Sequence, residues 1–171
     1  MALRSTKSGA LGAAVVALLL AAAPARAQGA AEAAGGAFEG LAGAWSGNGT
    51  ITMSNGAKER IRCRATYVVK RSGDGLSQEL RCASDSYRFE LSSDVSSNGT
   101  SIAGTWSETT RRVGGNITGR ASAGTIKARA EGQTFNALIG VTTRGDRQVV
   151  SIESPGSDVS EVSITLTRGP R

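Results

Sequence analysis

The chain has 171 residues, with 20 Lys and Arg against 14 Asp and Glu, a formal charge of +6, two cysteines and no histidine. Without histidine the commonest general base and the commonest metal ligand are both missing, which argues against triad hydrolases, zinc enzymes and a histidine-held haem; no cofactor is expected. The length suits one domain with a sizeable core.

In chain order, Arg4 and Lys7 precede an apolar run from Ala10 to Ala23 and the small-residue site Ala25-Arg26-Ala27. This reads as a secretory signal peptide over residues 1–27, too short for a membrane span and cut before Gln28. Taking 27 residues from 171 leaves 144, and with Arg4, Lys7 and Arg26 gone the balance is 17 basic to 14 acidic residues, or +3. That charge is too sparse for a nucleic-acid binder. The expected product is exported, periplasmic or extracellular, and not membrane-spanning. An even cysteine count in an exported chain points to one disulfide, Cys63 to Cys82.

Residues 28–41 are Ala- and Gly-rich and read as a flexible lead that lacks large apolar anchors, with one helical turn at most. Residues 42–171 form a single domain of short alternating runs rich in Thr, Val, Ile and Ser, separated by Gly-containing turns. The runs are Ala44 to Met53, Lys58 to Lys70, Leu76 to Ala83, Ser86 to Val95, Ser101 to Thr109, Asn116 to Ser122, Thr125 to Glu131, Phe135 to Thr143, Arg147 to Ser154 and Val159 to Arg168. Short turns favour sequential antiparallel neighbours, and a meander of about ten strands must curl or split. The expected fold is all-β, an up-and-down antiparallel barrel, with a β-sandwich as the alternative.

Setting Cys63 opposite Cys82 pairs Ala65 with Leu80 and Tyr67 with Gln78, and gathers the apolar residues of both strands on one face. The opposite face carries Arg60, Arg62 and Arg64 in alternation along one strand, with Arg81 facing Arg64. Continuing through a turn at Ser84-Asp85 sets Tyr87 opposite Cys82, Phe89 opposite Leu80, Arg88 opposite Arg81 and Glu79 opposite Glu90. Arg62, Arg64, Arg81 and Arg88 thus form a candidate face for an anionic group or protein partner, because the guanidinium fork matches oxyanions. The competing reading is a solvated exterior with diagonal ion pairs. Trp106, Tyr67, Tyr87, Phe89 and Glu108 are candidate lumen residues. Glu108 follows Trp106 in phase, where burial would raise its pKa unless Arg111 or Arg120 pairs with it.

Gly43-Ala44-Trp45 opening the first strand after Phe38-Glu39-Gly40-Leu41, ten meandering strands, and Arg168 ending the last one together resemble the lipocalin-like, or calycin, barrels. In such barrels a Gly-x-Trp begins the first strand and a late arginine packs over that indole near the closed end. The resemblance implies a barrel-closing pair, Trp45 and Arg168, in cation-π contact. The run Gly43-Ala44-Trp45-Ser46-Gly47-Asn48-Gly49 resembles the nitrobindin-like branch, whose haem histidine has no counterpart here. The chain is similar as well to exported proteobacterial proteins, from which no activity carries over.

Small inward side chains leave two outcomes, a cavity or a packed barrel. Three functions follow. The first is a non-catalytic binding protein holding a small apolar or amphipathic ligand. The second is a periplasmic interaction module, such as a hydrolase inhibitor or envelope factor, using the arginine face. The third is an enzyme, for which no pair of acids stands in a recognisable relation.

Overall fold

The computed structural model describes residues 36–122, 124–133 and 136–170. The signal peptide and the first part of the lead fall outside those residues. Ten strands follow one another: β1 (Gly43–Met53), β2 (Lys58–Val69), β3 (Gly75–Ala83), β4 (Arg88–Asn98), β5 (Ser101–Glu108), β6 (Val113–Ser122), β7 (Thr125–Gly132), β8 (Asn136–Arg144), β9 (Arg147–Glu153) and β10 (Val159–Arg168). Each pairs antiparallel with its successor, and β10 returns to β1, so the sheet closes into an up-and-down barrel. Closure leaves no unpaired strand edge, which is why a meander this long is stable without a second layer. The barrel is the expected fold, and the sandwich alternative falls away.

Closure requires β1 to approach β10 tightly. A β-carbon on Gly47 would lie 1.9 Å from the Thr165 carbonyl oxygen, and one on Gly49 2.4 Å from that of Ser163. Only glycine allows the seam at those two positions. The alternation then sorts the side chains. Trp45, Ile51, Ile61, Cys63, Ala65, Leu80, Ile164 and Leu166 are buried inside, while Arg60, Arg62, Arg64, Arg81 and Arg88 are exposed outside. A lipid-facing barrel wall would need the reverse pattern, an apolar outward band. Among the described residues no helix is long and apolar enough to cross a membrane.

The β2–β3 register is the expected one, with Cys63 on Cys82, Arg64 on Arg81 and Tyr67 on Gln78. Cys63 and Cys82 form a disulfide. The β3–β4 register differs by two residues: Cys82 faces Phe89, Leu80 faces Leu91, Arg81 faces Glu90 and Ala83 faces Arg88. The cause is a four-residue loop. The Ser84 amide donates to the Tyr87 carbonyl, the Tyr87 amide donates to the Ser84 hydroxyl oxygen, and the Ser86 amide donates to the Glu59 carboxylate. A shift of two leaves every side chain on its expected face but changes its neighbours.

Of the lead, residues 36–41 are described and carry a turn over 37–40, but with large apolar anchors that the sequence reading did not credit. Phe38 and Leu41 are fully buried, and the Phe38 amide donates to the Gly73 carbonyl at 3.2 Å. Two large apolar side chains in an otherwise small-residue segment are enough to seat it across the barrel end where β1 begins.

Candidate functional site

The two barrel ends have opposite characters. At the end where β1 starts, Phe38, Leu41, Trp45 and Tyr67 fill the interior. The Trp45 indole N–H donates to the Leu41 carbonyl at 2.9 Å, and Tyr67 meets the indole edge-on with ring centroids 6.4 Å apart. Arg168 lies over that indole at 4.2 Å, donates to the carbonyls of Ala42 and Gly40, and pairs with Asp146 at 3.0 Å. One guanidinium thus holds the turn before β1, the indole and the β8–β9 loop together. The Tyr67 hydroxyl donates to Gln148 Oε1 at 2.7 Å, and Gln148 Nε2 donates to Thr143. Burial pushes the Tyr67 pKa far above its ordinary value, so the hydroxyl stays a neutral donor. This end is closed.

The other end holds a pocket of about 250 Å³. Its wall is apolar, built by Ile51, Phe89, Leu91, Trp106, Ile152 and Val162, with Val113 and Val159 near the rim. Tyr87, Arg111 and Asp158 bring polar groups to its lining. Of the candidate lumen residues, Trp106, Tyr87, Phe89 and Glu108 come together here, whereas Tyr67 belongs to the closed end. The sequence reading missed Ile51, Leu91, Ile152 and Val162 as pocket residues, although their strand phase marks them as inward.

Glu108 is buried in the pocket wall. Its carboxylate accepts the backbone N–H groups of Glu90 at 3.0 Å, Thr110 at 3.1 Å and Arg111 at 2.7 Å, with the Arg111 guanidinium 3.6 Å away. Burial alone would push its pKa up, as the sequence reading expected. The hydrogen bonds to Glu90, Thr110 and Arg111 outweigh burial and hold it below the ordinary carboxylate value. A folded pKa below the unfolded one gives stability that is fully present above the unfolded value near 4.5 and is lost as pH falls through the folded value. Acid unfolding of wild type should therefore steepen below about pH 4.5. In Glu108→Gln that slope should flatten, with stability at pH 7 reduced by about 1 to 3 kcal/mol. Identical acid limbs in the two proteins would show that the carboxylate does not hold the β5–β6 loop.

Arg111 Cζ also sits 5.2 Å from the Tyr87 ring centroid, so it lies across the rim with one side toward the pocket. The arginine face is rearranged by the β3–β4 register. Arg88 pairs with Glu90 at 2.6 Å and Arg81 approaches Glu79 at 3.8 Å, while Arg62 and Arg64 stand exposed on β2. The expected row of Arg64, Arg81 and Arg88 does not form, because Glu90 takes the place opposite Arg81.

A closed ten-stranded meander, sealed at one end by its own leading turn and carrying an apolar pocket at the other, is a calycin-like barrel. Two solved structures are similar in fold. One is Rv2717c from M. tuberculosis, at 10% identity with a TM-score of 0.62 over 76% of this chain and 93% of that one. The other is the S-type phycobiliprotein lyase CPES from Guillardia theta, at 9% identity with a TM-score of 0.55 over 78% and 91%. No family model and no curated protein matches the chain. Such barrels are compatible with binding a ligand inside.

Proposed function

We propose that this is an exported, non-catalytic binding protein that holds a small apolar or amphipathic ligand in the open end of its barrel. The observation that carries this reading is the apolar pocket of about 250 Å³ beneath a polar rim. Its volume lies just under the roughly 300 to 1,000 Å³ of sites that engulf drug-sized molecules, so the ligand is small, with one polar end. A binding rather than catalytic role is supported by Glu108, whose acceptor positions are occupied by the backbone of Glu90, Thr110 and Arg111. The disulfide is in keeping with an oxidising, exported location.

Delipidated protein should take up octanoate or octanol in native mass spectrometry at one molecule per chain. Val162→Phe places a larger side chain in the pocket wall and should weaken uptake at least about tenfold, at a stability cost of about 1 to 3 kcal/mol. Undiminished uptake by that variant would locate the ligand elsewhere. No uptake by wild type would remove the reading.

A further inference from the structure

A second surface lies on the outside of the barrel, remote in character from the apolar pocket. Arg60, Arg62 and Arg64 point outward from β2 at successive outward positions, so their α-carbons stand about 7 Å apart along the strand. Arg64 also faces Arg81 directly, an arrangement that is destabilising unless a counter-charge intervenes. Glu79 approaches Arg81 and Glu90 pairs with Arg88, and among the described residues Arg60, Arg62 and Arg64 have no carboxylate within ion-pair distance. Arg60, Arg62 and Arg64 thus stand in a line on β2 without a direct ion pair.

What lies beside that line is equally specific. The register sets Asn48 next to Arg62 and Thr50 next to Arg60 on β1, and Thr165 next to Asn48 on β10. Ser46, Ser163 and Thr167 continue the same outward strip, which contains amide and hydroxyl groups and no aromatic ring. The surface over Arg60, Arg62, Asn48, Thr50 and Thr165 is concave and polar, and Glu59 and Asp85 also line it. The Glu59 carboxylate is engaged by the Ser86 amide and held below its ordinary pKa by the hydrogen bonds of Ser84 and Ser86.

Three kinds of anionic macromolecule make different demands on such a surface. Single-stranded nucleic acid needs aromatic platforms for its bases. A stable protein interface needs a buried apolar or aromatic anchor inside a polar rim. A glycan bearing carboxylate or sulfate groups needs cations at repeated intervals and a field of small hydrogen-bonding groups for its hydroxyls, and that combination is what β10, β1 and β2 present. We propose that this outer face binds an extended acidic polysaccharide, with Arg60, Arg62 and Arg64 on its anionic groups and Asn48, Thr50 and Thr165 on its hydroxyls.

The test uses the full barrel with its disulfide intact, titrated calorimetrically with alginate oligosaccharide, dextran sulfate, neutral dextran and poly-glutamate. Wild type should bind alginate and dextran sulfate in a salt-dependent manner and ignore neutral dextran. R60Q/R62Q/R64Q should lose at least about tenfold in affinity for both. R120Q/K127Q/R129Q removes the same charge from β6 and β7 and should bind as wild type. N48A/T50V keeps the charges and should weaken alginate more than poly-glutamate. Thermal melting of each variant establishes that it is folded. Equal losses in the two charge variants would reduce the effect to net charge and overturn the proposal. Poly-glutamate binding as tightly as alginate would assign the face to an acidic protein instead, and no binding of either polysaccharide would end the idea.

Discussion

Trp45→Ala is expected to lower the unfolding free energy by about 3 to 5 kcal/mol, the range for emptying a large aromatic site. The indole is 2% exposed, and three structures converge on it: the Leu41 carbonyl, the Tyr67 edge and the Arg168 guanidinium. Removing it leaves Phe38 and Leu41 over a void and Arg168 without the surface on which it stacks. Trp45→Phe should restore most of the packing while losing the N–H bond to Leu41, a deficit of about 1 kcal/mol. Pairing Trp45→Ala with Arg168→Ala in a double-mutant cycle should give a coupling of about 1 kcal/mol or more, since Arg168 is largely buried and its stacking partner is gone. Urea unfolding reads all of these. A loss under about 1 kcal/mol for Trp45→Ala, no larger than an average substitution, would mean that the sealed end is not organised around the indole.

The second large effect concerns the staple. Cys63 and Cys82 are 19 residues apart and both buried, on adjacent strands β2 and β3. Cross-linking a loop of that length removes unfolded-state entropy worth about 3 kcal/mol. Cys63→Ala with Cys82→Ala should therefore unfold about 10 °C lower than the oxidised wild type, measured by circular dichroism without reductant. The same shift should appear when wild type is unfolded in strong reductant. The paired strands retain their register in either case, because Tyr67, Ala65 and Leu80 still face inward. An unchanged melting temperature would show that the β2–β3 hairpin is equally restrained in the unfolded chain without the bond.

How far the primary structure announced this architecture depends on the element. Strand boundaries followed from Gly-containing turns such as Asn55-Gly56, where the Asn55 side chain accepts the Ala57 amide and Gly56 has positive φ. The β2–β3 register followed from the cysteines, because only one pairing brings them opposite one another. The β3–β4 register did not, since its loop contains no glycine and is shaped by the Ser84 side chain. A slip of two residues preserves the inward and outward faces, so alternation gives no warning of it.

The anchoring of the last residues of the lead escaped pattern for a related reason. Phe38 and Leu41 are isolated among Ala, Gly and Glu, and their value comes from the barrel mouth they cover rather than from local pattern. The pocket itself lay beyond reach of pattern. Ile51, Val162 and Ile152 are cross-strand neighbours on β1, β10 and β9, whereas Leu91 comes from β4, and whether the two groups meet or leave space between them depends on how the wall curls. Glu108 shows the same limit in its charge: inward phase was evident, but the three amides that keep it ionised come from the adjoining β5–β6 loop and β4.

Methyl spectra of the isotope-labelled barrel, recorded during titration with octanoate, probe both ends at once. Saturable shifts are expected at Ile51, Leu91, Ile152 and Val162 in the pocket, with Leu41 and Leu166 at the sealed end unmoved. Shifts confined to outward methyls such as Val68 or Val149, or none at saturating ligand, would contradict an internal binding site.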